Sequence, residues 1–233
     1  MSIRIGIVSA LQREVAPLIS GWRRQRTGGL AARIDQSGDT AYVASGIGRE
    51  PGIRATEALV AEFGPDVLIS AGFAGALVPE RKIADDIVPG VVVDSATGEN
   101  FRTESTSSSR IVSSGFIANR KAKLELNLRF QAEAVDMEGA SVALVAKRHG
   151  IPFYAVKTIS DELDFPMLPF EPFVDDRGIF RTAKFLGHMS IRPGHWPGLI
   201  RMGTNSARAS AELCTALQHL ITGIRKSRVV QVS

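Results

Sequence analysis

The sequence predicts an α/β fold: a single domain on a mixed, largely parallel central sheet flanked by helices, with a helical extension at the C-terminal end. Three observations lead there. Short uninterrupted apolar runs, the pattern of strands buried on both faces, recur along residues 3–159. Between them lie stretches of helical length with apolar residues three and four apart. No internal repeat and no linker-like segment divides the 233 residues.

Residues 3–9 (IRIGIVS) read as a buried strand, and a helix is expected over 11–19. Residues 31–36 and 40–45 read as a hairpin with Ser37-Gly38-Asp39 as its turn. Ser45-Gly46-Ile47-Gly48 leads into a helix over 51–63, which Pro65-Asp66 ends. Strands follow over 67–71 and 87–94, the latter carried by the valines at 91–93, and the Ser-, Thr- and Gly-rich stretch 95–110 reads as a mobile loop. Next come a short strand over 111–114, a charged amphipathic helix over 119–129, a strand over 132–135 and a helix over 138–148 that Gly150 caps. Residues 153–159 (FYAVKTI) form the last strong strand, and beyond the Pro-rich 166–172 helices are expected over 178–189 and 204–223. The expected organisation is a core over 1–176, a basic helical extension over 177–225 packed on the same domain, and a tail over 226–233.

Hydrophobic residues at 44% and charged residues at 22% are the balance of a chain that folds around its own core. At this size roughly 70% of the unfolded surface should be buried, so neither disulfides nor a structural metal are needed. The single cysteine, Cys214, has no internal partner, which fits a reducing compartment. Arg4, Arg13 and Glu14 interrupt the N-terminal apolar run, and no stretch approaches 18 uncharged apolar residues, so a cytoplasmic location is expected. The net charge of +4 is uneven: from Arg177 onward nine basic residues against one acid give +8, while the preceding 176 residues carry −4. Such an extension suits an anionic partner surface or a solvated helical face. The aromatic interleaving of a nucleic-acid platform is thin there, so no nucleic acid is expected as a partner.

Open α/β sheets collect sites where strands end and loops begin. Polar residues stand at five such ends: 9–14, 45–48, 72–76, 136–138 and 160–161. Each has an ordinary explanation beside a functional one. Gly72-Phe73-Ala74-Gly75 reads as a tight strand-to-helix turn in preference to a phosphate-cradling loop. Ser160-Asp161 suits a helix N-cap, and Glu14 suits a first-turn acid favoured by its helix dipole. Met137 suits a core methionine. His188 and His195, seven apart with a proline between them, make a poor metal pair, and no metal is expected.

The ordered set is more specific than its parts. Ile5-Gly6-Ile7-Val8-Ser9-Ala10-Leu11 with Glu14-Val15 is followed by Ser45-Gly46-Ile47-Gly48, then by Pro65-Asp66-Val67-Leu68-Ile69 with Gly72, Ala74, Gly75 and Leu77. Val135-Asp136-Met137-Glu138-Gly139-Ala140 comes next, and Ile151-Pro152-Phe153 through Thr158-Ile159-Ser160-Asp161 completes the series over about residues 3–165. In this the chain resembles the nucleoside phosphorylase family of the purine nucleoside and uridine phosphorylase type, and its motifs are most similar to the 5′-methylthioadenosine/S-adenosylhomocysteine nucleosidases. The resemblance implies a phosphorylase/hydrolase-like fold and hydrolysis of the N-glycosidic bond of a 5′-substituted adenosine, releasing adenine. Asp161 would protonate the departing base as general acid, with Ser160 holding it and lining the base site. That role needs a desolvated pocket favouring the neutral carboxyl. Glu138 would grip the ribose hydroxyls and face the developing positive charge, with Met137 under the sugar. Phe116 and Ile117 match the family's base-binding pair, and Glu14 would take a proton from the attacking water. Ile47, Phe73, Ala74, Gly75 and Lys157 would form the pocket wall. The resemblance further implies a small-molecule purine nucleoside as ligand, a homodimer, and no metal or organic cofactor.

The chain also departs from its relatives. Where phosphorylases hold phosphate with an arginine and a serine near the glycine turn, it has Ser70 and Phe73. Phenylalanine cannot donate to an anion, so hydrolysis is favoured over phosphorolysis, with Arg13, Arg49 or Lys157 as alternative anion ligands. Lys157 stands where the nucleosidases carry arginine. A nucleoside-binding protein without catalysis is the other alternative, opposed by the joint presence of Asp161, Glu138 and Glu14. Phe185-Leu186-Gly187-His188 through Arg192-Pro193, Trp196-Pro197 and Asn205-Ser206 are similar to a hopanoid-associated subgroup acting on an adenosine attached to a hopane lipid. On that reading the basic extension, with Trp196, Leu199, Ile200 and Met202, makes a peripheral contact with an anionic membrane. On the other it is a packing and dimer-forming helical element.

Overall fold

The computed structural model describes residues 2–166, 171–173, 181, 184 and 196–231. Among them, eleven strands form one mixed sheet. Its centre is a parallel run of β4 (Thr40–Ala44), β1 (Ile5–Ser9), β5 (Val67–Ala76) and β11 (Phe153–Asp161). At one edge β3 (Leu30–Ile34) and β2 (Arg23–Thr27) continue antiparallel. Beyond β5 lie β10 (Ala134–Asp136), β9 (Arg110–Ser113), β7 (Val91–Asp94) and β8 (Asn100–Arg102), and β6 (Asp86–Ile87) pairs β11.

The central strands are apolar on both faces because both faces are covered. Val8, Val43, Leu68 and Phe153 pack with Leu59 and Phe63 of α2 (Arg49–Phe63) and with Ala143 and Ala146 of α4 (Gly139–His149). Ile5, Ile7, Tyr42, Ile69 and Val156 turn to the opposite face. There they meet Ile19 of α1 (Ala16–Ile19) and a stripe on α5 (Trp196–Gln231) formed by Leu213, Leu217, Ile221 and Ile224. That three- and four-residue spacing puts one helical face on the sheet, each Leu or Ile contributing about 1.5–3 kcal/mol by burial. Leu126 of α3 (Arg120–Phe130) packs with Val93, Val112 and Val135 at the far end. Arg225 ties α5 to the β3–β4 hairpin by donating to Thr40 Oγ1 at 2.8 Å.

The placement of β1 and β10 creates an opening. β1 runs parallel to β5 and is last paired at Val8 with Ser70, whereas β10 runs antiparallel and pairs Val135 with Gly75. Their C-terminal ends therefore face each other across residues 71–74 of β5. Such a switch in the sheet is where α/β folds hold ligands.

Several expectations need correction. The helix over 11–19 is split into a single 3-10 turn, Gln12–Glu14, and the four-residue α1, because Pro17 is tolerated only in a first helical turn. β2 has no apolar signature because RRQRT is an exposed edge strand. Gly72-Phe73-Ala74-Gly75 is not a strand-to-helix turn: β5 continues through it to Ala76, paired by β11 as far as Gly75 and by β10 at its end. Ser160-Asp161 is likewise the end of β11 rather than a helix N-cap. Residues 87–94 divide at Pro89-Gly90 into β6 and β7. The stretch 95–110 carries β8 and a ladder in which the hydroxyls of Thr103, Ser105 and Ser107 accept from the amides of Ser105, Ser107 and Ser109. The helix over 204–223 lies inside the longer α5, while the one over 178–189 falls outside the described residues except for 181 and 184, as do His188 and His195. No helix among the described residues is long and apolar enough to cross a membrane.

Candidate active site

The opening beside residues 71–74 is a cavity of about 200 Å³. Glu14, Glu138, Ser160 and Asp161 all line it. So do Met137, Phe116, Ile117, Ile47, Phe73, Ala74 and Gly75. Residues as far apart in the chain as Glu14 and Asp161 meet because β1, β4, β9 and β10 all point their C-terminal ends at this gap. Lys157 is the exception. It is 1% exposed and lies behind the wall, where its ammonium pairs with Asp136 Oδ2 at 2.6 Å and donates to Ser70 Oγ at 2.9 Å.

At one side of the cavity stands Asp161. β11 is bulged there, pairing Ile159 with Ala74 and Asp161 with Gly75, so that Ser160 is the extra residue. Bulges redirect side chains in this way. Asp161 Oδ1 accepts from Ser160 Oγ at 2.9 Å, and Oδ2 accepts from Lys123 Nζ at 2.5 Å. Lys123 is 1% exposed and also donates to the Glu162 carbonyl at 2.7 Å. A Cβ on Gly75 would stand 2.8 Å from Asp161 Oδ2 and 3.1 Å from Lys123 Cε, so this pair requires glycine beside it. Asp161 is thus one half of an ion pair, a partner that the sequence reading did not give it.

Glu138 enters from the end of β10. Its Oε1 accepts from the Gly48 amide at 2.8 Å, and Gly48, with φ of 102°, sits in the left-handed region where glycine is favoured. This explains the second glycine of the Ser45–Gly48 turn. Burial, followed by the negative charge of Asp136, pushes the Glu138 carboxyl up to about 8, against the opposing pull of Lys157. Glu138 is therefore mostly protonated near neutral pH. A carboxyl raised from 4.5 stabilises the fold fully below that pH, and this contribution is lost as pH rises through about 8. Glu138→Gln is thus expected to match the wild type in thermal unfolding near pH 4.5 and to exceed it at pH 8 by about 2–4 kcal/mol. Equal stabilities at both pH values would contradict this environment.

Beneath Glu138, Asp136 is fully partnered. Ser113 Oγ donates to its Oδ1 at 2.5 Å, while the Gly139 amide, at 2.9 Å, and Lys157 serve Oδ2. The amide contact places the carboxylate at the N-terminus of α4, the end of a helix that favours negative charge.

Glu14 forms the third corner and is only 6% exposed. Burial raises its carboxyl above the ordinary range, opposed first by the Leu11 amide, which donates to Oε2 at 3.0 Å, and then by Lys157, Arg13 and the Phe73 backbone. Ser210 of α5 donates to the Arg13 carbonyl at 3.3 Å, fastening the Glu14 turn to the helix. Of the cations the sequence offered as anion ligands, Arg49 forms an ion pair with Asp94 and Lys157 is buried with Asp136, while Arg13 lines the cavity.

The sequence reading missed Ala118, Lys123, Phe165, Met202 and Ser206 as lining residues. A signal for Lys123 was available: it shares a helical face with Leu126 and Phe130, the buried face of α3. Met202 and Ser206 belong to α5, so the extension helps to build the cavity.

Residues 4–110 and 109–177 match the family model described as the phosphorylase superfamily. Among similar proteins, an aminodeoxyfutalosine nucleosidase of Helicobacter pylori is 26% identical over 80% of this chain and 97% of its own length. A 5′-methylthioadenosine/S-adenosylhomocysteine nucleosidase of a Marinomonas species is 26% identical over 67% of this chain and 85% of its own. Among solved structures, an aspartate-to-asparagine variant of the Helicobacter pylori nucleosidase, with 5′-methylthioadenosine in its active site, superposes with a TM-score of 0.65. It is 25% identical and covers 82% of this chain and 99% of its own.

Proposed function

Because this chain belongs to the phosphorylase superfamily, we propose that its cavity hydrolyses the N-glycosidic bond of a 5′-substituted adenosine and releases adenine. One observation carries the reading: Glu14, Glu138 and Asp161, remote in sequence, line a single cavity. Its similarity to adenine-nucleoside hydrolases supports the same substrate class.

In this reading the purine lies against Phe116 and Ile117 with N7 toward Asp161, and the ribose hydroxyls meet Glu138 over Met137. As the bond from C1′ to N9 opens, its electron pair moves to the base, and protonation at N7 makes that base a better leaving group. The sugar acquires positive charge, and the Glu138 oxygens beside its hydroxyls stabilise that charge most in the transition state. Water attacks C1′ as Glu14 takes its proton, and a carboxyl raised by burial is better matched to that task near neutral pH.

Hydrolysis is supported over phosphorolysis by what occupies the glycine-rich stretch of β5. Ser70 is buried under Lys157, Phe73 forms wall, and the Glu14 carboxyl is positioned 3.5 Å from where a Cβ on Gly72 would stand. A carboxylate there opposes a phosphate anion. Glu14→Gln is expected to lower kcat for hydrolysis by about 10²-fold, with a much smaller change in nucleoside binding. Unchanged turnover would remove Glu14 from the reaction.

The deciding experiment measures adenine release from methylthioadenosine, S-adenosylhomocysteine, adenosine, inosine and a lipid-linked adenosine, each with and without phosphate. Phosphate-independent release from a 5′-substituted adenosine is the expected result. Strict phosphate dependence would make the protein a phosphorylase, and no release from any of the five would contradict the reading.

A further inference from the structure

Asp161 raises a question of proton supply. Both of its oxygens already accept hydrogen bonds, Oδ1 from Ser160 and Oδ2 from Lys123. A carboxylate satisfies that arrangement without a proton of its own, yet the leaving base requires one. Of the two groups bonded to it, the serine hydroxyl is far the weaker acid. Lys123 is an ammonium buried at 1% exposure, 2.5 Å from Oδ2, and it lines the cavity itself. Its second partner, the Glu162 carbonyl at 2.7 Å, holds the amine in place but cannot take a proton from it. Gly75 leaves the room in which the pair is packed. A buried cation on an otherwise apolar helix face calls for a role, since its desolvation has to be offset.

We propose that Lys123 is the proton source behind Asp161, the two acting as one acid on the purine. The inference rests on the hydrolytic reading above and adds a residue to it. An N–H bond of Lys123 breaks as a proton passes to Asp161, and Asp161 passes a proton to N7. The electron pair of the opening C1′–N9 bond stays with the base, which leaves neutral. Lys123 is left as a neutral amine and Asp161 as a carboxylate. The proton that Glu14 takes from water returns to solvent, and Lys123 regains one from solvent once the cavity empties, so charge and protons balance over the cycle. Lys123 acts through Asp161 and is distinct from a group that touches the substrate.

The test uses Lys123→Met and Lys123→Arg with two substrates. One is the adenine nucleoside cleaved fastest by the wild type; the other is 4-nitrophenyl riboside, whose phenolate leaves without a proton. Folding is checked by thermal unfolding, and binding by a non-cleavable adenosine analogue. Methionine keeps the volume without the charge, and arginine keeps the charge but does not give up a proton. Both variants are expected to lose about 10²-fold in kcat on the nucleoside while the analogue still binds, and to cleave the riboside at wild-type rates. Restored turnover in the arginine variant would show that charge alone suffices and overturn the proposal. An equal loss on both substrates would overturn it too, as a structural effect. If the wild type itself released no adenine, the hydrolytic reading would be the one to fall.

Discussion

Replacing Asp161 with asparagine is expected to lower adenine release by about 10²-fold or more, while nucleoside binding persists. The amide oxygen of asparagine can still accept from Lys123 while its NH2 donates to the Ser160 hydroxyl, so the local geometry has a reason to hold. What the variant lacks is the carboxylate that can receive a proton and hand it to N7. The effect should therefore appear in kcat and leave KM nearly unchanged. It should also depend on the leaving group, being largest for adenine and least for bases that depart readily as anions. Removing the counter-charge of buried Lys123 also destabilises the fold, so turnover must be compared below the unfolding range of both proteins. Near-normal turnover in a folded variant would remove Asp161 from the chemistry.

The second large effect is on stability. Lys157→Met leaves the Asp136 carboxylate beneath the cavity without its cation, and both groups are fully buried. Breaking such a pair costs about 3–5 kcal/mol, which for a chain of this size lowers the unfolding temperature by roughly 10 °C. The double variant Asp136→Asn with Lys157→Met should recover much of that loss, because no bare charge remains. Thermal unfolding of the two singles and the double gives the coupling directly. A Lys157→Met protein as stable as the wild type would mean that water or another group reaches Asp136. Glu138 should respond as well, since Lys157 opposes the burial and the Asp136 charge that raise it.

Both predictions concern residues whose legibility in the sequence differed. The central strands were readable because burial on both faces leaves continuous apolar runs, as at 5–9, 67–71 and 153–159. β2 was unreadable for the opposite reason: its arginines face solvent, and pairing with β3 alone makes it a strand. The glycines of β5 carry a turn signal that two flanking strands override. In the cavity, Glu14, Glu138 and Asp161 could be named from motifs because each belongs to a motif at or after the C-terminal end of a strand. Lys157 belongs to the same strand as Asp161 but faces away from the cavity, toward Asp136, an orientation that depends on the pairing of β11 with β5. Lys123 lies on a helix among surface charges, Arg120, Lys121 and Glu125, and only its helical phase sets it apart. The approach of α3 to the end of β11 is a tertiary fact with no local signature.

The basic extension shows the same limit. Its sequence advertises charge and a few large apolar side chains, yet α5 turns Leu213, Leu217 and Ile221 onto the sheet and brings Met202 and Ser206 to the cavity. Ile200 remains exposed at 67%. The helix thus has structural work in holding the Glu14 turn, whatever else its basic residues meet.

The most direct measurement is a crystal structure with a non-cleavable adenosine analogue. The base is expected to stack near Phe116 with N7 about 3 Å from an Asp161 oxygen, and the ribose hydroxyls to lie on Glu138. An analogue bound elsewhere, or bound here with N7 turned away from Asp161, would contradict the account.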